Sequence, residues 1–280
     1  MKNLLPDSFR LAIGTLTRIP VPAPRSVTRS TAGRAILLAP AVGFIIAAIS
    51  GVPLLIPGLN TGGAIFASVV TIGALTLLTR ALHWDGLADT VDALASGKPA
   101  PSALQIARRS DLGPVGAIAI MTAFALQVSA LTVLVAPGTG YVAWIVACTA
   151  GRAGLIFACD RSVPAARTDG LGSAVSRSVP RLAVIFTGAA IAIVSAVGLA
   201  TLQPVYTSTL AGPLAAWLMI RRARRSLGGI TGDVLGAIVE VGATVVLVAA
   251  AFGTLWITTG ANSSPRSPAS PAAAVTPRYR

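Results

Sequence analysis

The chain has 280 residues, 54% of them apolar and only 11% charged, with a mean hydropathy of +0.78. A soluble domain carries about a quarter charged residues, so a water-soluble globule is excluded. The net charge of +13 does not point to nucleic acid either, because long uncharged apolar runs separate the basic residues.

The opening segment, residues 1–24, sets Asp7, Arg10, Arg18 and several prolines among its apolar residues. No signal-peptide core survives those interruptions. The segment is partly amphipathic and suits the inner surface of a membrane. Runs of about 20 apolar residues, enough to cross a bilayer as a helix, follow at 36–56, 62–79, 115–136, 141–158, 182–202, 206–220 and 236–257. The sixth is short and contains Pro213. The expected fold class is all-α, a polytopic integral membrane helical bundle of about seven transmembrane helices. Residues 1–258 read as one membrane-embedded catalytic domain. Residues 259–280, rich in Pro, Ser and Ala, read as a disordered tail. Cys148 and Cys159 read as small core residues.

Charge orients the bundle. Six basic residues precede the first run, and four lie in each of the second-to-third, fourth-to-fifth and sixth-to-seventh connections. The intervening connections carry none. The basic side is the cytoplasmic one by the positive-inside rule, so a cytoplasmic (inner) membrane protein with its N-terminus inside is expected. The acids follow the same map. Asp7, Asp85, Asp89, Asp92, Asp111, Asp160, Asp169 and Asp233 fall at that face, and Glu240 lies one to two turns inside the last run.

Asp85, Asp89 and Asp92 stand at i, i+4 and i+7, one stripe on a helix. Like charges so spaced repel, and a hard divalent cation relieves the repulsion. Mg²⁺ takes one or two carboxylates together with substrate phosphate oxygens, so the stripe reads as a Mg²⁺ or Mn²⁺ site for a diphosphate, or as a solvated helix. His83, the only histidine, falls opposite the stripe, placed to bond substrate or to pack. Arg108 and Arg109 precede Asp111 and the Gly113-Pro114 turn, after a short helix capped by Ser102. They read as a phosphate clamp or as membrane anchors. Gly228, Gly229, Thr231 and Gly232 form a Gly-rich turn opening a helix, where free N–H groups favour an anion. Asp233 ends that turn, and Glu240 lies seven residues on, on the same face. Arg152, inside the fourth run, is the expected partner of Glu240; an intramembrane pair of this kind marks function or structure. Asp169 to Ser173 reads as a substrate loop or a turn.

Together these motifs resemble the cobalamin synthase family, the adenosylcobinamide-GDP ribazoletransferases. The blocks are Thr17 to Pro22 with Arg18, His83 to Asp92, Arg108 to Gly113, Gly170 to Gly172, and Gly228 to Glu240. The family commonly has Asp where this chain has Arg109, and Asp111 stands two residues later. The resemblance implies Mg²⁺-dependent transfer. The hydroxyl of α-ribazole, or of its 5′-phosphate, attacks the cobinamide-side phosphorus of adenosylcobinamide-GDP and GMP leaves. The candidate site then has Asp85, Asp89, Asp92 and Glu240 toward metal, and Asp233, Asp111 and His83 in catalysis. Arg18, Arg108, Arg109, Arg152, Gly228, Gly229, Thr231 and Gly232 contact substrate. Membrane lipid, a second copy of the chain or other enzymes of the pathway are expected partners. A CDP-alcohol phosphotransferase would use acids similarly, but its longer Asp-Gly-x-x-Ala-Arg motif is absent. A transporter would show internal repeats, and none is present.

Overall fold

A computed structural model describes residues 5–108 and 111–262, the last three by backbone alone. Among the described residues there are twelve α-helices and no strand, only two isolated bridges. In chain order they are α1 Asp7–Leu16, α2 Arg29–Ser50, α3 Thr61–Thr79, α4 Leu82–Ala95, α5 Ala100–Ile106 and α6 Pro114–Val135. There follow α7 Gly140–Ala158, α8 Gly170–Val175, α9 Arg181–Ala200, α10 Pro204–Thr207, α11 Ala211–Leu227 and α12 Gly232–Asn262. Six of them, α2, α3, α6, α7, α9 and α12, are long and apolar enough to cross a membrane. The chain is a multi-pass helical membrane bundle.

The helix ends have local causes. Thr28 caps α2 by accepting the Thr31 N–H, and Asn60 caps α3 by accepting the Gly63 N–H, each worth about 1 kcal/mol. The first apolar run therefore becomes helical seven residues before its apolar edge, and it stops at Ser50. A 3₁₀ turn with Pro53 replaces the rest, since proline cannot donate to the next helical bond. Arg80 and Ala81 both stand at φ +55. This left-handed link folds α4 back against the bundle, and the Arg80 guanidinium steadies it by donating to Gly14 O and Thr17 O of the α1 end.

Three expectations are corrected. Ser102 does not cap the short helix; α5 starts at Ala100, behind Pro99, and takes Ser102 into its first turn. The sixth apolar run is broken into α10, a 3₁₀ turn over Ser208–Leu210 and α11, whose last turns carry the arginines. The three pieces follow one another without a gap, and none is among the six helices long and apolar enough to cross a membrane. The last helix does not stop at 258: α12 continues to Asn262, and the remainder of the expected tail, 263–280, lies outside the described residues. At 31 residues α12 is about 46 Å long, more than the roughly 30 Å of a hydrocarbon core, so its ends emerge from the apolar layer.

α12 is the central post, with 78% of its most apolar window buried against 11% for α9. α4, α6, α7 and α11 surround it. α1 lies against α2 with Ala12, Ile13 and Leu16 buried, so it docks on the bundle itself. Large apolar side chains such as Phe66, Met121, Phe186 and Trp256 point outward, as lipid-facing residues do when the surrounding solvent is hydrocarbon.

Candidate active site

The site is built by one close helix crossing. A Cβ on Gly86 would stand 2.7 Å from Asp233 O and 3.1 Å from Gly236 Cα, and one on Gly236 would stand 3.2 Å from Leu82 O. Only glycine allows α4 and α12 to approach this way. The approach brings Asp85 and Asp89 beside Asp233, which opens α12. Burial, then the charges of Asp85, Asp233 and Asp92, push the Asp89 carboxyl up to about 7.

Thr231 and Arg167 position Asp233. The Thr231 hydroxyl donates to Asp233 Oδ2 at 3.1 Å, and Val234 N–H donates back to Thr231 Oγ1 at 3.2 Å, closing the first turn of α12. Arg167 Nη2 donates to the same carboxylate oxygen at 3.2 Å. Arg167 reaches it because its loop is tied to the α12 entry: Ile230 N–H donates to Pro164 O and Ala166 N–H donates to Ile230 O. In the sequence Arg167 is one more basic residue in a basic loop, and nothing in its spacing marks it.

Asp85, Arg167 and Asp233 border a cavity of about 250 Å³ between α1, α2, α4, α7, α8 and α12. His83, Asp85, Arg167 and Asp233 are its polar side; its walls include Leu11, Leu16, Ile36 and Leu155. His83 is buried, its Nε2 has no hydrogen-bond partner, and burial followed by the Arg152 charge holds it well below its usual pKa. It is neutral at pH 7.

Asp92 has a different task. Its two oxygens accept the N–H groups of Gly113 at 2.9 Å and Gly116 at 2.8 Å, so it binds the positive end of α6. Among the described residues no three His, Cys, Asp or Glu side chains form a ready cage for a metal ion.

Residues 8–251 match the family described as cobalamin-5-phosphate synthase. Three adenosylcobinamide-GDP ribazoletransferases align over nearly their whole length. The protein of a Nocardioides species is 37% identical, covering 87% of this chain and 97% of its own. That of Frankia casuarinae is 33% identical, covering 87% and 94%, and that of Sinorhizobium medicae 32%, covering 88% and 96%. The chain belongs to the cobalamin-5-phosphate synthase family. No solved structure matches it.

In this synthase-family chain the Gly-rich segment is first a structural joint. Gly228 stands at φ +84, the left-handed end of α11. A Cβ on Gly229 would run into Pro164 O and the Ala165 carbonyl carbon. Gly232 has ordinary room beside Leu171 and lines the cavity. Gly172 lies against Thr231, again with no space for a Cβ, so the Asp169 to Ser173 segment braces the α12 entry. Arg108 pairs with Asp169 at 2.5 Å on the surface. Arg18 is exposed and its N–H donates to Leu78 O. Asp111 is exposed on the turn before α6, and Arg109 lies outside the described residues.

Glu240 and Arg152 sit elsewhere. Glu240 is buried deeper along α12, where it accepts Gln127 Nε2 at 2.5 Å; Gln127 also donates to Thr244 Oγ1. Arg152, fully buried, donates to Cys148 O at 3.2 Å, and its Nε and Nη2 have no partner. The expected direct ion pair between the two is not formed among the described residues. Sequence reading missed Gln127, a single amide in an apolar run that is legible only as an unexplained polar residue.

Proposed function

We propose that the chain is an adenosylcobinamide-GDP ribazoletransferase acting at the cavity between α1, α4 and α12. It joins adenosylcobinamide-GDP to α-ribazole, or to the 5′-phosphate, with release of GMP. The observation that carries this reading is the Gly86–Gly236 crossing, which sets Asp85 and Asp89 near Asp233, with Asp85 and Asp233 at the mouth of an apolar cavity. The positive-inside rule makes that mouth cytoplasmic.

Mg²⁺ fits the donor set. Asp85 and Asp89 are one helical turn apart, and burial, then the neighbouring carboxylates, raises the Asp89 pKa. One or two carboxylates plus substrate phosphates suit Mg²⁺, which keeps its remaining positions for water and substrate. When bound, it supplies charge neutralisation to the diphosphate and the departing GMP. Asp85 and Asp89 would hold it. Asp92 keeps the α4–α6 corner in place, and Glu240 supports the helix that presents Asp233.

The other residues divide the remaining work. Asp233, oriented by Arg167 and Thr231, accepts the proton of the attacking hydroxyl. Neutral His83 offers an unused ring nitrogen to a substrate polar group. Arg167 lies where phosphate oxygens approach, and Arg108, Arg109 and Arg18 guide the diphosphate from the basic face. The apolar walls exclude water, which would otherwise compete as the nucleophile.

The test is an assay of purified protein with adenosylcobinamide-GDP and α-ribazole, with and without Mg²⁺. Release of GMP that requires both acceptor and Mg²⁺ supports the reading. Absence of GMP under every condition refutes it.

A further inference from the structure

A second concavity of about 670 Å³ lies on the opposite side of α2 from the cavity. Ala35 and Ile36 line the cavity, whereas Arg34 and Leu37 line this groove, as a turn of about 100° per residue requires. Its charged lining is Arg29, Arg34, Arg161 and Arg177, and no acid lines it. None of the four has an ion-pair partner among the described residues. Asp160, next to Arg161, does not line the groove; its Oδ1 is engaged by Ser162 and Arg181, and its Oδ2 is buried without a partner.

The groove is assembled from three segments of chain. Gly33 lets the strand of backbone at Ser178 press on α2, with no room for a Cβ between them. Arg177 stands at φ +56, a left-handed conformation disfavoured for any residue with a side chain. By contrast, Arg221, Arg224 and Arg225 beside Trp217 lie along one face of α11, as membrane anchors commonly do.

What continues from the groove is apolar. The outer face of α2 goes on through Leu37, Phe44 and Ile45, all exposed. α9 starts beside the groove residue Pro180 and exposes Leu182, Ile185 and Phe186. Four clustered cations at the end of a lipid-facing wall complement an anionic head joined to apolar chains, and basic pockets between membrane helices hold such heads. We propose that this groove binds the phosphate head group of an anionic phospholipid, with the acyl chains lying along α2 and α9.

Retention of phosphatidylglycerol by the full chain in detergent, read by native mass spectrometry, tests this. The protein should keep phosphatidylglycerol in preference to phosphatidylcholine. An Arg34→Gln/Arg177→Gln variant should bind it about fivefold more weakly per arginine removed, while Arg224→Gln/Arg225→Gln binds as the parent does. Arg177→Gly relieves the backbone, so it should melt no lower than the parent and still lose lipid, which separates lipid loss from misfolding. Equal loss in the α11 variant would reduce the effect to general surface charge and overturn the proposal. So would equal retention of phosphatidylcholine, or displacement of the lipid by millimolar inorganic phosphate.

Discussion

α12 is crossed twice through paired glycines, and the two crossings end differently. At the first, Gly86 of α4 meets Gly236 and Asp233. At the second, Gly151 of α7 meets Gly242, whose Cβ would stand 3.0 Å from Gly151 Cα. The packing device is the same. The first lies near the emerging end of α12, so its carboxylates open on a cavity and crowd one another. The second lies deep in the helix, so the neighbouring Arg152 and Glu240 are sealed among helices, where Glu240 meets Gln127 and Arg152 only the Cys148 carbonyl. Two acids seven residues apart on one helix thus belong to different environments. Depth along the helix decides which carboxylate opens on the cavity.

That contrast can be broken most sharply at Asp89. Asp89→Asn should lower Mg²⁺-dependent GMP release about a thousandfold, the several kcal/mol of charge stabilisation a metal supplies. The metal-free melting temperature should not fall, because the substitution removes repulsion; a fall would show that Asp89 holds the fold. Next in size is the crossing itself. Gly86→Val should cost about 1–3 kcal/mol by overpacking and also about a hundredfold in turnover, since a shift of about 1 Å misplaces the reacting groups. Gly151→Val should cost similar stability, read by thermal melting, while the folded fraction keeps its specific activity.

A third expectation concerns pH. The Asp89 carboxyl has its folded pKa near 7, above its ordinary 3.8. Its ionisation therefore opposes folding progressively as pH rises through that interval in the metal-free protein. Protons and Mg²⁺ compete for the same group, so Mg²⁺ affinity should fall about tenfold per pH unit below about 7. Thermal shifts with and without Mg²⁺ should be largest above pH 7 and fade toward pH 5. A pH-independent shift would place the cation elsewhere. The smallest effect on turnover is expected at the second crossing. Glu240→Gln can still accept from Gln127 and should leave GMP release nearly unchanged. Glu240→Leu leaves Gln127 with Thr244 as its remaining side-chain acceptor and should cost about 1–3 kcal/mol of stability.

Much of the bundle was legible in the chain. The runs at 62–79, 115–136 and 141–158 match α3, α6 and α7 to within a residue or two, because uncharged apolar length and helix-ending Gly and Pro are local properties. The sixth run was weak for a local reason too, its Pro213 and the arginines at its end. In the site, Asp85, Asp89 and Asp233 were marked by the scarcity of acids in an apolar chain. Arg167 and Gln127 were not, since each is ordinary for its segment and acquires a role only from the partner it faces.

By itself, then, the sequence determined the membrane class, the helical passages, the basic face and the pool of ionisable residues. Those follow from transfer free energy and backbone hydrogen bonding, which act over one helix at a time. Only the tertiary structure decided how the acids divide. Asp92 went to the α6 N-terminus, Glu240 to Gln127, and Asp85 and Asp89 to Asp233. That division depends on where glycines let helices touch, and contacts between residues as far apart as Gly86 and Gly236 leave no periodic trace in the chain.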